Sequence, residues 1–282
     1  MENKNKIVFI ILFIGDYQWY IPYFIKSCVY NPSIDFVVLT DNPRNFLNLS
    51  DNIKVSEYTL DQFKIEVSKS LGFEVAIDKG YKLCDFRPAI GCIFPNLIKG
   101  YDFWGYCDVD LVLGNIRSFL TDELLNSYDV ISARHDYLTG CFSLFRNTPY
   151  INYLYEHSKD YVMVFTNEKN YCFDEAGDAY SQFSNNVPID QVRSEYESMT
   201  EVVKKQAFYK KLRAYFEFQI VEGTPGCLQW NRGTLIFKGE YEALLYHFIK
   251  FKEVYNEDLN NLKLVPDQYE ITKDGINLVV KE

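Results

Sequence analysis

Residues 7–14 are apolar without a break. An amphipathic element would interrupt such a run with polar positions at period 2 or 3.6, so this one predicts a strand buried on both faces. The pattern returns at 36–40 after a stretch that reads as a helix at about 22–30. A short third strand is expected at 53–55. Residues 60–71 then place Leu60, Phe63, Val67 and Leu71 on one helical face. A further helix is expected over 81–94, interrupted or started at Pro88, and it leads to a strand at 103–107. Beyond that lie a return turn at 116–120, strands at 130–133 and 141–145, and helices at 150–161 and 199–218. Gly223, Thr224, Pro225 and Gly226 form a turn signal, followed by strand-like runs at 234–237 and 244–251. Alternation over 269–278 around Asp274 and Gly275 predicts a terminal hairpin. Alternating strands and helices imply an α/β class with a mostly parallel sheet flanked by helices, a helical or irregular C-terminal part and the small hairpin. Ligands of such sheets bind beyond the carboxyl ends of the strands.

That is where the pattern breaks. The run Phe103, Trp104, Gly105, Tyr106, Cys107 ends in Asp108, Val109 and Asp110, and Leu111, Val112 and Leu113 follow. Aspartate is disfavoured in strands and is rarely buried without a partner. Carboxylates at i and i+2 on an extended segment share a side, so both can reach one cation. Hard oxygen ligands point to Mg²⁺ or Mn²⁺. The plainer alternative is a pair of solvated turn aspartates.

Composition narrows the function. The chain has 282 residues, is 48% hydrophobic and carries a formal net charge of −10. It can fill a sizeable core, and one large domain is the simplest organisation. The charge opposes nucleic-acid binding, which relies on a basic surface; a phosphate-bearing small molecule stays compatible when a metal ion supplies the positive charge. Seven cysteines without a C-x-x-C pair read as reduced core thiols, and hence as a cytoplasmic location. Lys4 and Lys6 before the first apolar run mimic a signal peptide, yet Asp16 follows and no small-residue cleavage site does. No apolar segment reaches the roughly 20 residues that span a bilayer. Lys204, Lys205, Lys210, Lys211 and Arg213 among Phe208, Tyr209, Tyr215 and Phe216 make 201–218 a basic, aromatic helix. It offers a peripheral contact with the inner face of an anionic membrane, or a solvated face balanced by Glu201 and Glu217.

The segment Lys82, Leu83, Cys84, Asp85, Phe86, Arg87, with the strand from Phe103 to Asp110 and the following Leu111 to Ile116, resembles the donor-site half of GT-A fold glycosyltransferases. It is most similar to the retaining, glycogenin-like branch and to bacterial capsule and lipopolysaccharide transferases. The resemblance implies one catalytic domain over residues 1–255, with a nucleotide-sugar half to about 120, an acceptor-side half beyond it, and an extension at 256–282. It implies a metal site of Asp108, Asp110 and His247, with Lys250 or Lys252 on the diphosphate. Lys82, Asp85 and Arg87 would meet phosphate or sugar hydroxyls, Asp41 would meet the base, and Asp174 and Glu175 would stand beside the reacting sugar. The implied activity is Mn²⁺- or Mg²⁺-dependent transfer from a nucleotide-diphosphate sugar, a UDP-sugar first, to a glycan or lipid-linked acceptor, retention being preferred over inversion. A non-catalytic sugar-nucleotide or glycan-binding protein of the same fold is the alternative. A nucleotidyltransferase ranks lower, because no glycine-rich phosphate loop follows the first strand.

Overall fold

The computed structural model describes residues 4–46, 49–217, 219–223, 228–257 and 264–278. The first apolar run forms β1 (Ile7–Phe13), an inner strand of a seven-stranded sheet. Beside it lies β2 (Ile34–Thr40) and beyond that β3 (Ile53–Glu57), both parallel; β4 (Phe103–Cys107) lies parallel on the other side. Successive side chains of a strand face opposite ways, and here both faces are covered. Val8, Ile10, Val37, Leu39, Trp104 and Tyr106 belong to the core on one face, with Phe63 and Val67 of the helix Leu60–Leu71. Ile7, Phe9, Ile11, Phe36, Val38 and Phe103 belong to the core on the other, with Ile21, Phe24, Ile25 and Cys28 of the helix Ile21–Val29.

After β4 the chain makes β5 (Leu111–Leu113), which leaves this sheet. Next come β6 (Val130–Ser132), β7 (Phe142–Arg146) and β8 (Ala214–Phe216), giving the order β3-β2-β1-β4-β7-β6-β8. Only the β4–β7 and β6–β7 pairings are antiparallel. The strand order reverses between β1 and β4, and a crevice opens outside the carboxyl ends of strands at such a reversal.

Two smaller sheets follow. One joins β5 to β9 (Ile220–Val221) and to a later strand; the other starts with β10 (Leu228–Asn231), β11 (Thr234–Phe237) and β12 (Tyr241–Glu242). The later strand is β13 (Leu245–His247), antiparallel to β5 in the register His247 opposite Leu111. The expected terminal hairpin is β14 (Gln268–Thr272) with β15 (Gly275–Leu278); it adds to the second sheet, because β14 pairs along β10. Trp230 and Tyr269 stack in its core, and the Trp230 indole donates to Leu113 O at 2.9 Å.

Three predicted helices come out differently. The 81–94 stretch is a 3-10 helix, Gly80–Ala89, followed by a single α turn, Ile90–Ile93. The 150–161 stretch splits into Pro149–Asn152, a 3-10 turn Leu154–His157 and a separate helix Tyr161–Phe165. The Trp104 indole donates to Asn152 Oδ1 at the end of the first piece, and the Ser158 hydroxyl donates to Glu197 O just after the second, both at 2.7 Å. The 199–218 helix stops at Phe208; Lys210 takes a left-handed φ of 56°, and Ala214–Phe216 become the edge strand β8. The basic stripe read there is thereby broken up. Lys204 donates to Asp136 O, Lys205 pairs with Glu197 and Glu201, and Arg213 lies beside Asp129. Phe218 and the predicted turn residues Thr224, Pro225 and Gly226 lie outside the described residues. No described helix is long and apolar enough to cross a membrane. Cys28, Cys84, Cys92, Cys107, Cys141 and Cys172 are free thiols, as expected, and Cys227 lies outside the described residues.

One buried amide organises the edge where β2 and β3 begin. The Asn52 side chain donates to Cys28 O, Asn31 O and Ile34 O at 2.9–3.1 Å. Removing it takes one hydrogen bond from each of these carbonyls, although Cys28 O and Asn31 O keep the backbone amides of Asn31 and Ile34, so Asn52→Ala should lose about 1–3 kcal/mol of stability. Urea denaturation of the variant beside the wild type measures this, and an unchanged midpoint would mean that the amide is dispensable.

Candidate active site

β4 delivers Cys107 to the edge of the crevice, and the backbone beyond it is fixed at each step. The Asp108 amide donates to Cys141 O at 3.2 Å, and Asp110 O accepts from the Phe248 amide at 2.9 Å. Gly114 closes the segment against the second sheet: a Cβ there would lie 2.4 Å from Ala243 O. Asn31, in the bend after the helix Ile21–Val29, donates to Gly114 O and accepts from the Ile116 amide at 2.9 Å. The aspartate pair is thus held on a clamped turn.

β13 brings His247 to the same point. His247 Nε2 lies 3.4 Å from Asp110 Oδ2 and 3.9 Å from Asp108 Oδ2, and ligand atoms of the three residues all lie within 4.8 Å of one another. Its other nitrogen, Nδ1, is 3.1 Å from Glu222 Oε1, so Nε2 is the nitrogen left to face the aspartates. Arg134 Nη1 holds Glu222 at 2.6 Å while pairing with Asp136 at 2.9 Å through Nη2. A carboxylate behind a histidine fixes the ring and makes it a better metal ligand. Two hard oxygens and one imidazole nitrogen form a donor set that Mn²⁺ or Mg²⁺ fits.

The charges agree with an anionic cluster that attracts cations. Burial alone would raise the Asp110 carboxyl, but hydrogen bonds and charge from His247 and Lys252 outweigh it and hold the group well below the usual carboxylate range. Burial works against a charged His247; Cys141, Asp110 and Glu222 around it prevail and push its pKa well above the ordinary value. Lys252 Nζ lies 2.6 Å from Asp110 Oδ2.

A cleft of about 450 Å³ opens beside this cluster, lined by the ends of β1 and β4, by Tyr20, Tyr81 and Arg87, and by Asp174 and Glu175. Arg87 bridges its two sides. Nη2 donates to Asp108 Oδ1, and Nη1 donates to Asp174 Oδ2 at 3.0 Å and to Gly140 O at 2.8 Å. Glu175 accepts from the Gly140 amide at 2.6 Å and from the Tyr180 hydroxyl. A Cβ at position 140 would stand 2.7 Å from Asp174 Oδ2 and 2.9 Å from Arg87 Nη1, so a larger residue there has to displace the ends of those side chains. Burial raises both carboxyls above the usual range; for Asp174, Arg87 opposes that and neighbouring Glu175 adds to it.

The structure thus brings together Asp108, Asp110, His247, Lys252, Arg87, Asp174 and Glu175. It does not bring the other expected residues to the cleft. Lys82 Nζ has three acceptors, Asp85 Oδ2 at 2.8 Å and the carbonyls of Val164 and Lys169 at 2.7 Å, which uses every proton of an ammonium. Asp85 in turn accepts from the Tyr171 and Phe173 amides. This pair therefore fixes the segment that presents Asp174 and Glu175, and neither group is available to a phosphate or a hydroxyl. Asp41 accepts from the Gly15 amide at 3.0 Å, outside the cleft lining. Lys250 is exposed and pairs with Glu253 at 3.2 Å; of the two late lysines, the one at the cluster is Lys252. Sequence reading missed Glu222, Arg134, Gly140 and Tyr180. Glu222 had one available signal, a carboxylate closing the short apolar run Ile220, Val221 just before Gly223.

The chain belongs to DUF6625, a family of unknown function whose match covers residues 9–278. A search of curated proteins gave no match.

Burial pulls the Lys82 ammonium below its ordinary value, with Asp85 opposing the shift. Removing one member of a buried ion pair strands the other, so Lys82→Met should lower stability by about 3–5 kcal/mol. Chemical denaturation checks it; a variant as stable as the wild type would show that the Lys82–Asp85 pair does not hold this segment.

Proposed function

We propose that this chain is a metal-dependent glycosyltransferase of GT-A type that takes a nucleotide-diphosphate sugar, a UDP-sugar first, and passes the sugar to a glycan or lipid-linked acceptor. The observation that carries the reading is the cluster of Asp108, Asp110 and His247 within 4.8 Å, set where the strand order reverses and opening on a cleft that holds two buried carboxylates. The resemblance around residues 82–116 supports it, and so does the order of the parallel strands.

In this reading Asp108, Asp110 and His247 hold Mn²⁺ or Mg²⁺. When bound, the ion offsets the charge that grows on the diphosphate as the anomeric bond breaks. Lys252, close beside Asp110, adds a second positive charge there. Arg87 keeps Asp174 at a fixed place, and Gly140 and Tyr180 do the same for Glu175, so neither carboxylate has to be ordered during the reaction. A sugar losing its leaving group acquires oxocarbenium character, and a fixed carboxylate close to it stabilises that charge. Asp174 and Glu175 are the groups that would do so. Their raised proton affinity also suits a base that accepts the acceptor hydroxyl proton.

The test is nucleoside diphosphate release from a panel of nucleotide sugars with Mn²⁺. At least one donor should be turned over, and chelation by EDTA should stop it. Asp110→Asn should lower the rate on the order of 100-fold or more, a few kcal/mol of lost charge stabilisation. Binding without release for every donor would sink the enzyme reading in favour of a sugar-nucleotide binding protein. Glu222→Gln keeps the shape beside His247 but removes the charge, and should weaken Mn²⁺ binding by about 10–100-fold. Isothermal titration measures that step without any turnover, and an unchanged affinity would remove Glu222 from the site.

A further inference from the structure

Two of the chain's own cations stand on the carboxylates that a divalent ion would use, and one of them on the very oxygen that faces His247. Asp110 Oδ2, the oxygen 3.4 Å from His247 Nε2, is also 2.6 Å from Lys252 Nζ. Asp108 carries the Arg87 guanidinium on Oδ1. Two cations on one oxygen repel each other, so an entering metal ion competes with Lys252 for Asp110.

The two native cations differ in freedom. Arg87 is tied to Asp174 and to Gly140 O as well as to Asp108, and its side chain is only 11% exposed. Lys252 is 38% exposed, follows the three-residue strand β13 on a short 3-10 turn (Phe251–Glu253), and ends a flexible four-carbon stem. Arg87 therefore stays, and Lys252 is the group that can leave Asp110. It also lines the cleft, so a diphosphate lying there is within the sweep of its ammonium.

Resting on the donor-site reading above, we propose that Lys252 is a transferable counter-ion which makes the metal ion and the diphosphate bind as one unit. Without a diphosphate, the metal ion must break the Lys252–Asp110 pair and leave the ammonium with nothing in exchange. With a diphosphate present, Lys252 moves from carboxylate to phosphate and Asp110 is released to the metal ion. Each ligand then raises the affinity for the other by the same factor. The bare metal ion is bound weakly and the metal–diphosphate pair tightly, so the site discriminates against loading by the ion alone.

The experiment is Mn²⁺ binding to the full chain, followed by electron paramagnetic resonance of the free ion. It is run with and without UDP, after correction for the Mn²⁺–UDP complex in solution. In the wild type, UDP should tighten Mn²⁺ binding by about 5–150-fold, the usual range of such couplings. Lys252→Gln should bind Mn²⁺ alone more tightly than the wild type and should show a smaller effect of UDP. Lys250→Gln, which removes a positive charge two residues away from a pair with Glu253, should behave as the wild type. The proposal is overturned by Mn²⁺ affinity that ignores UDP, by a Lys252→Gln variant that binds Mn²⁺ alone no better than the wild type, or by the same change in Lys250→Gln. Nucleotide release on the same preparation separates the two readings. Turnover without coupling removes only the counter-ion; coupling without turnover from any donor removes the transferase and leaves the counter-ion standing.

Discussion

The architecture of the cleft turns on the Arg87 guanidinium. A buried arginine has to be paired, and this one is paired in three directions, to Asp108 at the end of β4, to Gly140 O just before β7, and to Asp174 on the segment beyond. The first two are neighbours at the end of the antiparallel β4–β7 pair, where Cys107 stands opposite Phe142, and the third comes from a stretch outside that pairing. One planar cation with donors in fixed directions sets their spacing, and a lysine in its place would not. The missing side chain at Gly140 is the complementary half of the arrangement, since its amide and carbonyl serve Glu175 and Arg87 from within contact distance of both.

Behind that pairing stands a second one that no ligand reaches. Lys82 and Asp85 fasten the 164–173 segment by saturating one another and four backbone groups. The contrast between Lys82 and Arg87, five residues apart on the same 3-10 helix, comes from where the helix aims them. Lys82 faces the core and is consumed by it; Arg87 faces the cleft and stays at its surface.

How much of this was legible in the sequence follows from the range of each interaction. The run at 7–14, the repeat at 36–40 and the face made by Phe63 and Val67 are local patterns, and each yields the element it predicts. Asp108 and Asp110 were legible because a carboxylate inside an apolar strand contradicts its own surroundings. The role of Lys82 was not, since a charged residue reads as exposed unless its three buried acceptors, two of them backbone carbonyls more than 80 residues away, are known. Glu222 was hidden for the same reason: its partner is His247, across two strands of a sheet whose pairing no single segment encodes. The helix over 199–218 failed at Lys210, where a left-handed backbone turn reversed the chain and overrode the helical spacing of the residues after it.

The pairing of β13 with β5 carries one last implication, for the order of events during synthesis. Asp108 and Asp110 leave the ribosome early, just beyond the strand that pairs with β1, but His247 comes much later and takes its place through the pairing of β13 with β5. The Trp230 contact with Leu113 adds the sheet that β14 completes. A nascent chain holding only its first strands therefore possesses two of the three clustered side chains, and the third arrives with β13.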